Sequence, residues 1–194
     1  MKITITDISH PDMLRKACDM TRKPGMKPSQ MTRAKIYQCE HSPVRMLRFF
    51  IAIHGVPSFV STHLVRHKFG VEHFVESNRD DRGGAGDDIV TRMTPVNHGI
   101  EANAQAIINI SKKRLCYASH RATVATWSRV RKAMRQVDND LANAMVPECV
   151  TRGYCPELRE CGPGLQKVLA AYADSQPARL RQNAIIAAQS INLE

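Results

Sequence analysis

The stretch Glu40–Lys68, EHSPVRMLRFFIAIHGVPSFVSTHLVRHK, changes its structural preference midway. Its first half, VRMLRFFIAIHGVP, is rich in β-branched and aromatic residues, which suit a pleated, half-buried strand, and Gly55 marks the expected end of that strand. Pro57 then fits the first turn of a helix, because its missing N–H would have had no partner there. In SFVSTHLVRHK, Phe59, Val60, His63, Leu64 and His67 share one helical face, and His67 emerges about a turn after His63, at the helix's C-terminal end. A strand running straight into a helix sets the expectation of an α+β chain.

The flanking sequence agrees. MKITITD alternates apolar and polar residues, as a strand does, and PDMLRKACDMTR offers Pro11 near a helix start before KPGMKP breaks it. NHGIEANAQAIINISKKRLCYASH (97–120) reads as one long helix with an apolar stripe of Ile100, Ala104, Ile107 and Ile108. A second helix is expected over 121–145, and shorter ones around 164–173 and 177–192. The segment DDRGGAGDD is too acidic for a phosphate-cradling loop and lacks a Gly-Lys-Ser/Thr ending, so it reads as a hydrophilic connection. With no internal repeat and no clear linker, the expectation for 1–194 is a single α+β domain with a small antiparallel or mixed sheet and long helices, the part after about 145 being a helical extension.

Composition excludes some functions and leaves others open. Hydrophobic residues make up 43% of the 194 residues, enough for a core. No run of eighteen apolar residues exists and the N-terminus lacks an apolar signal region, so no membrane span is expected and the cytoplasm is the expected location. The net charge of +10 attracts phosphates in general. Aromatic residues are only 5%, too few to furnish the stacking platforms of single-strand binders, and nucleic acid is the less favoured partner. A basic nucleic-acid-binding protein without catalysis stays as the alternative from another class. Cys149, Cys155 and Cys161 are evenly spaced without a CxxC pair, so free or structural thiols are favoured over a metal site.

Three segments, in order, resemble the flavin-dependent thymidylate synthases: the Ser-Pro turn, strand and Arg-His-Lys helix of 40–68, ESNRDD (76–81), and NAQAIINISKKR (103–114). The resemblance implies a homotetramer with active sites between subunits, FAD as cofactor, and NADPH and methylenetetrahydrofolate as co-substrates. The implied reaction is transfer of a one-carbon unit to C5 of dUMP or a related pyrimidine nucleotide. It assigns Ser42, Arg66, His67, Lys68, Asn103, Gln105 and Asn109 to FAD, with Asn103 and Asn109 nearly on one helical face. It assigns His63, Ser77, Asn78, Arg79 and Arg114 to the nucleotide, with Arg114 as the catalytic cation and Arg92 as the nearest counterpart of a further nucleotide-binding arginine. An arginine suits charge developing on a pyrimidine because it stays ionised and presents a planar fork of donors. The chain departs from the family pattern at Lys68, Gln105 and Asp80, and Ser77 lies one residue further from Arg-His-Lys. A flavin-dependent pyrimidine nucleotide hydroxymethylase of the same fold is therefore a second reading.

Overall fold

A computed structural model describes residues 1–27, 29–78, 81 and 90–175. Four strands form one sheet in the order β1-β2-β4-β3: β1 Lys2–Asp7, β2 Arg48–Pro57, β3 Val71–Val75 and β4 Pro95–Asn103. Every pairing is antiparallel. The helices are α1 Met13–Met20, α2 Arg33–Cys39, α3 Ser58–Val65, α4 Ala104–Arg114, α5 Arg121–Val137, α6 Asn139–Ala144, α7 Glu148–Arg152 and α8 Leu165–Ala171. A 3₁₀ turn, Ser42–Met46, precedes β2. Among the described residues no helix is long and apolar enough to cross a membrane.

β2 does not stop at Gly55. Two residues, His54 and Gly55, stand opposite the single Asn97 of β4, which makes a β-bulge. Gly55 takes φ +71°, where a side chain would be strained, and its N–H donates to Asn97 Oδ1 at 3.3 Å. The bulge resets the alternation, so Phe49, Ile51, Ile53 and Val56 all face the core. Pro57 follows at once and α3 begins at Ser58, as the sequence predicts.

The long helix expected over 97–120 is not formed as such. Residues 95–103 pair with both β2 and β3 as a central strand whose inward residues are Val96, His98, Ile100 and Ala102. Alternation over VNHGIEA outweighs helical spacing once two neighbouring strands supply its backbone partners. The helix begins only after Asn103, whose Oδ1 accepts the Ala106 N–H at 2.9 Å as an N-cap. Strand β3, which sequence periodicity did not reveal, fills the interval between Arg-His-Lys and Ser77. The chain reaches it through Gly70 (φ +70°), where an added Cβ would lie 2.3 Å from Asn103 Nδ2.

The helix expected over 121–145 is two helices. Asp138 leaves helical geometry (φ −147°, ψ 95°), ends α5, and caps α6 by accepting the Leu141 N–H on Oδ1 at 2.9 Å. Its Oδ2 accepts from Arg33 Nη1 at 2.8 Å and from the Tyr37 hydroxyl at 2.7 Å. Those bonds draw α2 onto the junction and satisfy a carboxylate only 7% exposed. Elsewhere Trp127 of α5 donates to Ser111 Oγ of α4 at 2.9 Å, and Ser111 donates to the Ile107 carbonyl at 2.7 Å. The main core lies between the sheet and helices α2 to α6. A small separate cluster, Val146, Cys149, Val150 and Val168, joins α7 to α8. The expected helix at 164–173 is α8, and the one at 177–192 lies outside the described residues.

Candidate active site

Three of the predicted residues, His63, His67 and Arg114, meet at the C-terminal end of α3. Arg114, at the end of α4, donates from Nη2 to the His63 carbonyl at 2.8 Å and from Nε to His67 Nε2 at 2.9 Å. A guanidinium at this place answers the partial negative charge of α3's last turn. It also fixes the His67 tautomer: Nε2 accepts, so the neutral ring carries its proton on Nδ1. Burial, helped by the Arg114 charge and then by His73, pushes His67 down to about 4, so the ring is neutral at pH 7. The Arg114 guanidinium is itself lowered by burial and by Arg66 but stays charged. His63 Nδ1 lies 2.8 Å from Thr123 Oγ1 on α5, and its ring meets Phe59 edge-on. Burial, followed by the charge of Arg114, lowers the His63 pKa.

Two clefts open beside this junction. One, of about 320 Å³, is lined by His67, Lys113, Arg114, Cys116, Ser119 and Glu157. The other, of about 500 Å³, is lined by Ser58, Ser61, Arg66, Lys68, Glu76 and Asn78 among others. Glu76 secures this second wall, its N–H donating to the Asn97 carbonyl at 2.9 Å while its Oε2 accepts the Asn97 N–H at 2.8 Å.

The remaining predicted residues are divided. Ser77 is half-buried just after β3, and Arg79 lies outside the described residues, as does most of the acidic glycine-rich segment. Gln105 and Asn109 share one face of α4, where Gln105 Nε2 donates to Asn109 Oδ1 at 3.3 Å and also bonds Glu40 Oε2. Lys112 completes that group, donating to Glu40 Oε1 at 2.7 Å, and exposed Ser42 follows Glu40 by two residues. Asn103 is not on that face: it is the cap before α4, and six residues of helix turn through about 600°, leaving it about 120° from Asn109. Arg114 is likewise about 140° from Asn109. Arg92 stacks its guanidinium 5.0 Å from the Phe59 ring centre and gives its carbonyl to the N-terminus of α3.

Sequence reasoning missed the hydrogen-bonded chain beneath this site. Ser61 Oγ lies 3.0 Å from His98 Nδ1, His98 Nε2 lies 2.9 Å from His73 Nδ1, and His73 Nε2 lies 2.8 Å from the His67 carbonyl. A carbonyl only accepts, so His73 carries N–H on Nε2, and the remaining contacts run from His73 Nδ1 through the His98 ring to the Ser61 hydroxyl. The chain joins Ser61 in the larger cleft to the backbone of His67 in the smaller one. Its signal in the sequence is His98 at an inward position of an alternating strand, obscured when 97–103 is read as helix.

His98 is 1% exposed, and burial, then the charge of His73, holds it at about 4. An unfolded chain protonates its imidazoles near pH 6.5. Between that pH and about 4 the unfolded state binds more protons, so stability is full above 6.5 and falls as pH drops. From pH 7 to pH 5, above the carboxylate range, His98 alone is expected to cost about 2 kcal/mol. Urea midpoints at the two pH values check this; equal midpoints would contradict a neutral buried His98.

Solved structures of flavin-dependent thymidylate synthases match this antiparallel four-stranded α+β fold. Thymidylate synthase X (ThyX) from Helicobacter pylori, solved with FAD and dUMP, aligns with a TM-score of 0.55 at 10% identity, over 73% of this chain and 99% of that one. A UMP/dUMP methylase, PolB from Streptomyces cacaoi, bound with 5-Br dUMP, aligns at 0.53 and 15% identity over 74% and 94%. A second Helicobacter pylori ThyX complex with FAD and dUMP aligns at 0.53 and 11% over 75% and 100%. No family model and no curated protein matches the sequence. At these identities the likeness establishes the fold.

Proposed function

We propose that this chain is a flavin-dependent enzyme that modifies C5 of a uridylate, in its simplest form a thymidylate synthase. The observation that carries the reading is the Arg114–His67–His63 junction, which seats a charged guanidinium and a neutral imidazole on one cleft. The residues present suit FAD: exposed Arg66 and Lys68 line a cleft of about 500 Å³, supplying cations for a diphosphate and volume for a ring system. When bound, the flavin supplies hydride transfer, with NADPH as the reductant and methylenetetrahydrofolate as the one-carbon donor.

The chain's own part is electrostatic. Joining a one-carbon unit to C5 of uracil places negative charge on the ring carbonyls, and Arg114 is the fixed cation that stabilises it. Neutral His67 accepts from Arg114 Nε and so orients the fork without repelling it. Ser77, Asn78 and Arg79 are proposed to hold the nucleotide phosphate, with His63 beside the pyrimidine. Gln105 and Asn109 stand on the opposite side of α4, so their proposed FAD contact fits a site shared between subunits of a homotetramer.

Purified protein is expected to be yellow and to oxidise NADPH in a manner dependent on dUMP, giving a product of dTMP mass. The Streptomyces protein is described as a UMP/dUMP methylase, which makes UMP the second nucleotide to assay. Colourless protein that does not retain added FAD would overturn the proposal.

A further inference from the structure

Four of the six cysteines line one small cavity: Cys116 from the α4–α5 connection, Cys149 from α7, and Cys155 and Cys161 from the segment that follows. The other two, Cys18 and Cys39, lie elsewhere, and all six are free thiols. The cavity volume is about 10 Å³, room for a single water-sized sphere, and its surface is largely apolar. From the sequence the last three cysteines form an evenly spaced trio without a chelating pair. The fold adds the fourth thiol from a distant part of the chain.

What surrounds the cavity needs a fastening. Residues 153–164 form no helix or strand, and Gly153 (φ +78°) and Gly164 (φ +75°) stand at the two ends. Beneath this segment the local core is small: Val146, Cys149, Val150 and Val168 are buried, with Cys161, Leu165, Leu169 and Tyr172 packed against them. Ion pairs tie its outer side: Lys113 Nζ lies 2.7 Å from Glu148 Oε2 and 3.5 Å from Glu157 Oε1. Those pairs occupy the two carboxylates on the cavity wall and leave the thiols as its metal-binding groups.

We propose that Cys116, Cys149, Cys155 and Cys161 are the four ligands of a structural zinc ion. Among the described residues no three ligating side chains already stand gathered as a metal site, so the four thiols must draw inward as the ion binds. Each S–Zn bond spans about 2.3 Å in tetrahedral geometry. Cys155 and Cys161 lie on a segment without helix or strand, so metal binding would be coupled to a rearrangement of that segment. The step balances as one Zn²⁺ replacing four thiol protons, with no change of oxidation state. Four thiolates leave no open position, which makes the site structural rather than catalytic. Cys116 and Glu157 also line the cleft that holds His67 and Arg114, so the ion would brace one wall of that cleft.

The test uses the full chain, purified with reductant, with zinc and iron measured by mass spectrometry before and after chelation. About one zinc per chain is expected, and replacement by Co²⁺ should give intense thiolate charge-transfer absorption with tetrahedral d–d bands. The double variant C155S/C161S should lose the metal, whereas C18S/C39S should keep it. If the first variant does not fold, release of zinc from the unaltered chain by a thiol-specific mercurial, in step with four modified thiols, provides the same evidence. Absence of metal together with no cobalt spectrum, iron with sulfide in place of zinc, or a native disulfide among the four would each overturn the assignment. None of these readouts involves flavin or nucleotide, so this inference and the proposed function fail independently.

Discussion

Replacing Arg114 with alanine is expected to lower dUMP-dependent NADPH oxidation by at least 100-fold. Removing one preorganised donor from a developing oxyanion costs roughly 10²–10³ in rate, or about 3–4 kcal/mol. Here the loss is compounded, because the same guanidinium also grips the His63 carbonyl and His67 Nε2. R114K keeps the charge but gives up the two-pronged fork, and should recover no more than about tenfold of the loss. Flavin absorbance measured beside the rate separates catalysis from cofactor binding. A rate within about threefold of the unaltered enzyme in R114A would remove this residue from the mechanism.

The largest expected effect on stability is at Asp138. D138A deletes the cap of α6, leaves the buried Tyr37 hydroxyl without its acceptor, and takes one of two carboxylates from Arg33. A lost cap costs about 1 kcal/mol and an unpaired buried hydroxyl about 1–3. Arg33 still reaches Asp7 Oδ2 at 2.7 Å and its side chain is 36% exposed, so it does not become a buried, unpartnered charge. A total of about 2–4 kcal/mol follows, seen as a fall in Tm of roughly 5–15 °C. Y37F should cost only about 1 kcal/mol. A D138A chain that melts within about 2 °C of the original would show that α5 and α6 do not depend on this junction.

Much of this architecture was legible residue by residue, and the exceptions share a cause. β1, α1 and the β2–α3 passage are set by local patterns: alternation in KITITD, β-branched density before Gly55, and Pro57 before a helical face. Residues 97–103 are different, because Ile100 and Ala104 fit a helical stripe as readily as an inward strand face. What decides is pairing with β2 on one side and β3 on the other, which no local window contains. Asp138 splits a helix through partners more than a hundred residues earlier, Arg33 and Tyr37. In the candidate site, Arg114 and His67 were both singled out in the sequence, but their direct bond was not. Ser61, His73 and His98 went unnoticed because their roles exist only once β3 and β4 lie side by side.

The bulge at His54–Gly55 has a further bearing on how this chain can vary. Since α3 starts straight after Pro57, the phase in which β2 ends sets the rotation of that helix about its axis. One residue fewer would turn Val56 outward, because strand side chains alternate faces. Ser61 would then swing away from His98, and the C-terminal turn that Arg114 grips would move with it. Length change is therefore least tolerable at the place where the local sequence looks loosest. The glycine there acts as a spacer that keeps a sheet and a helix in step.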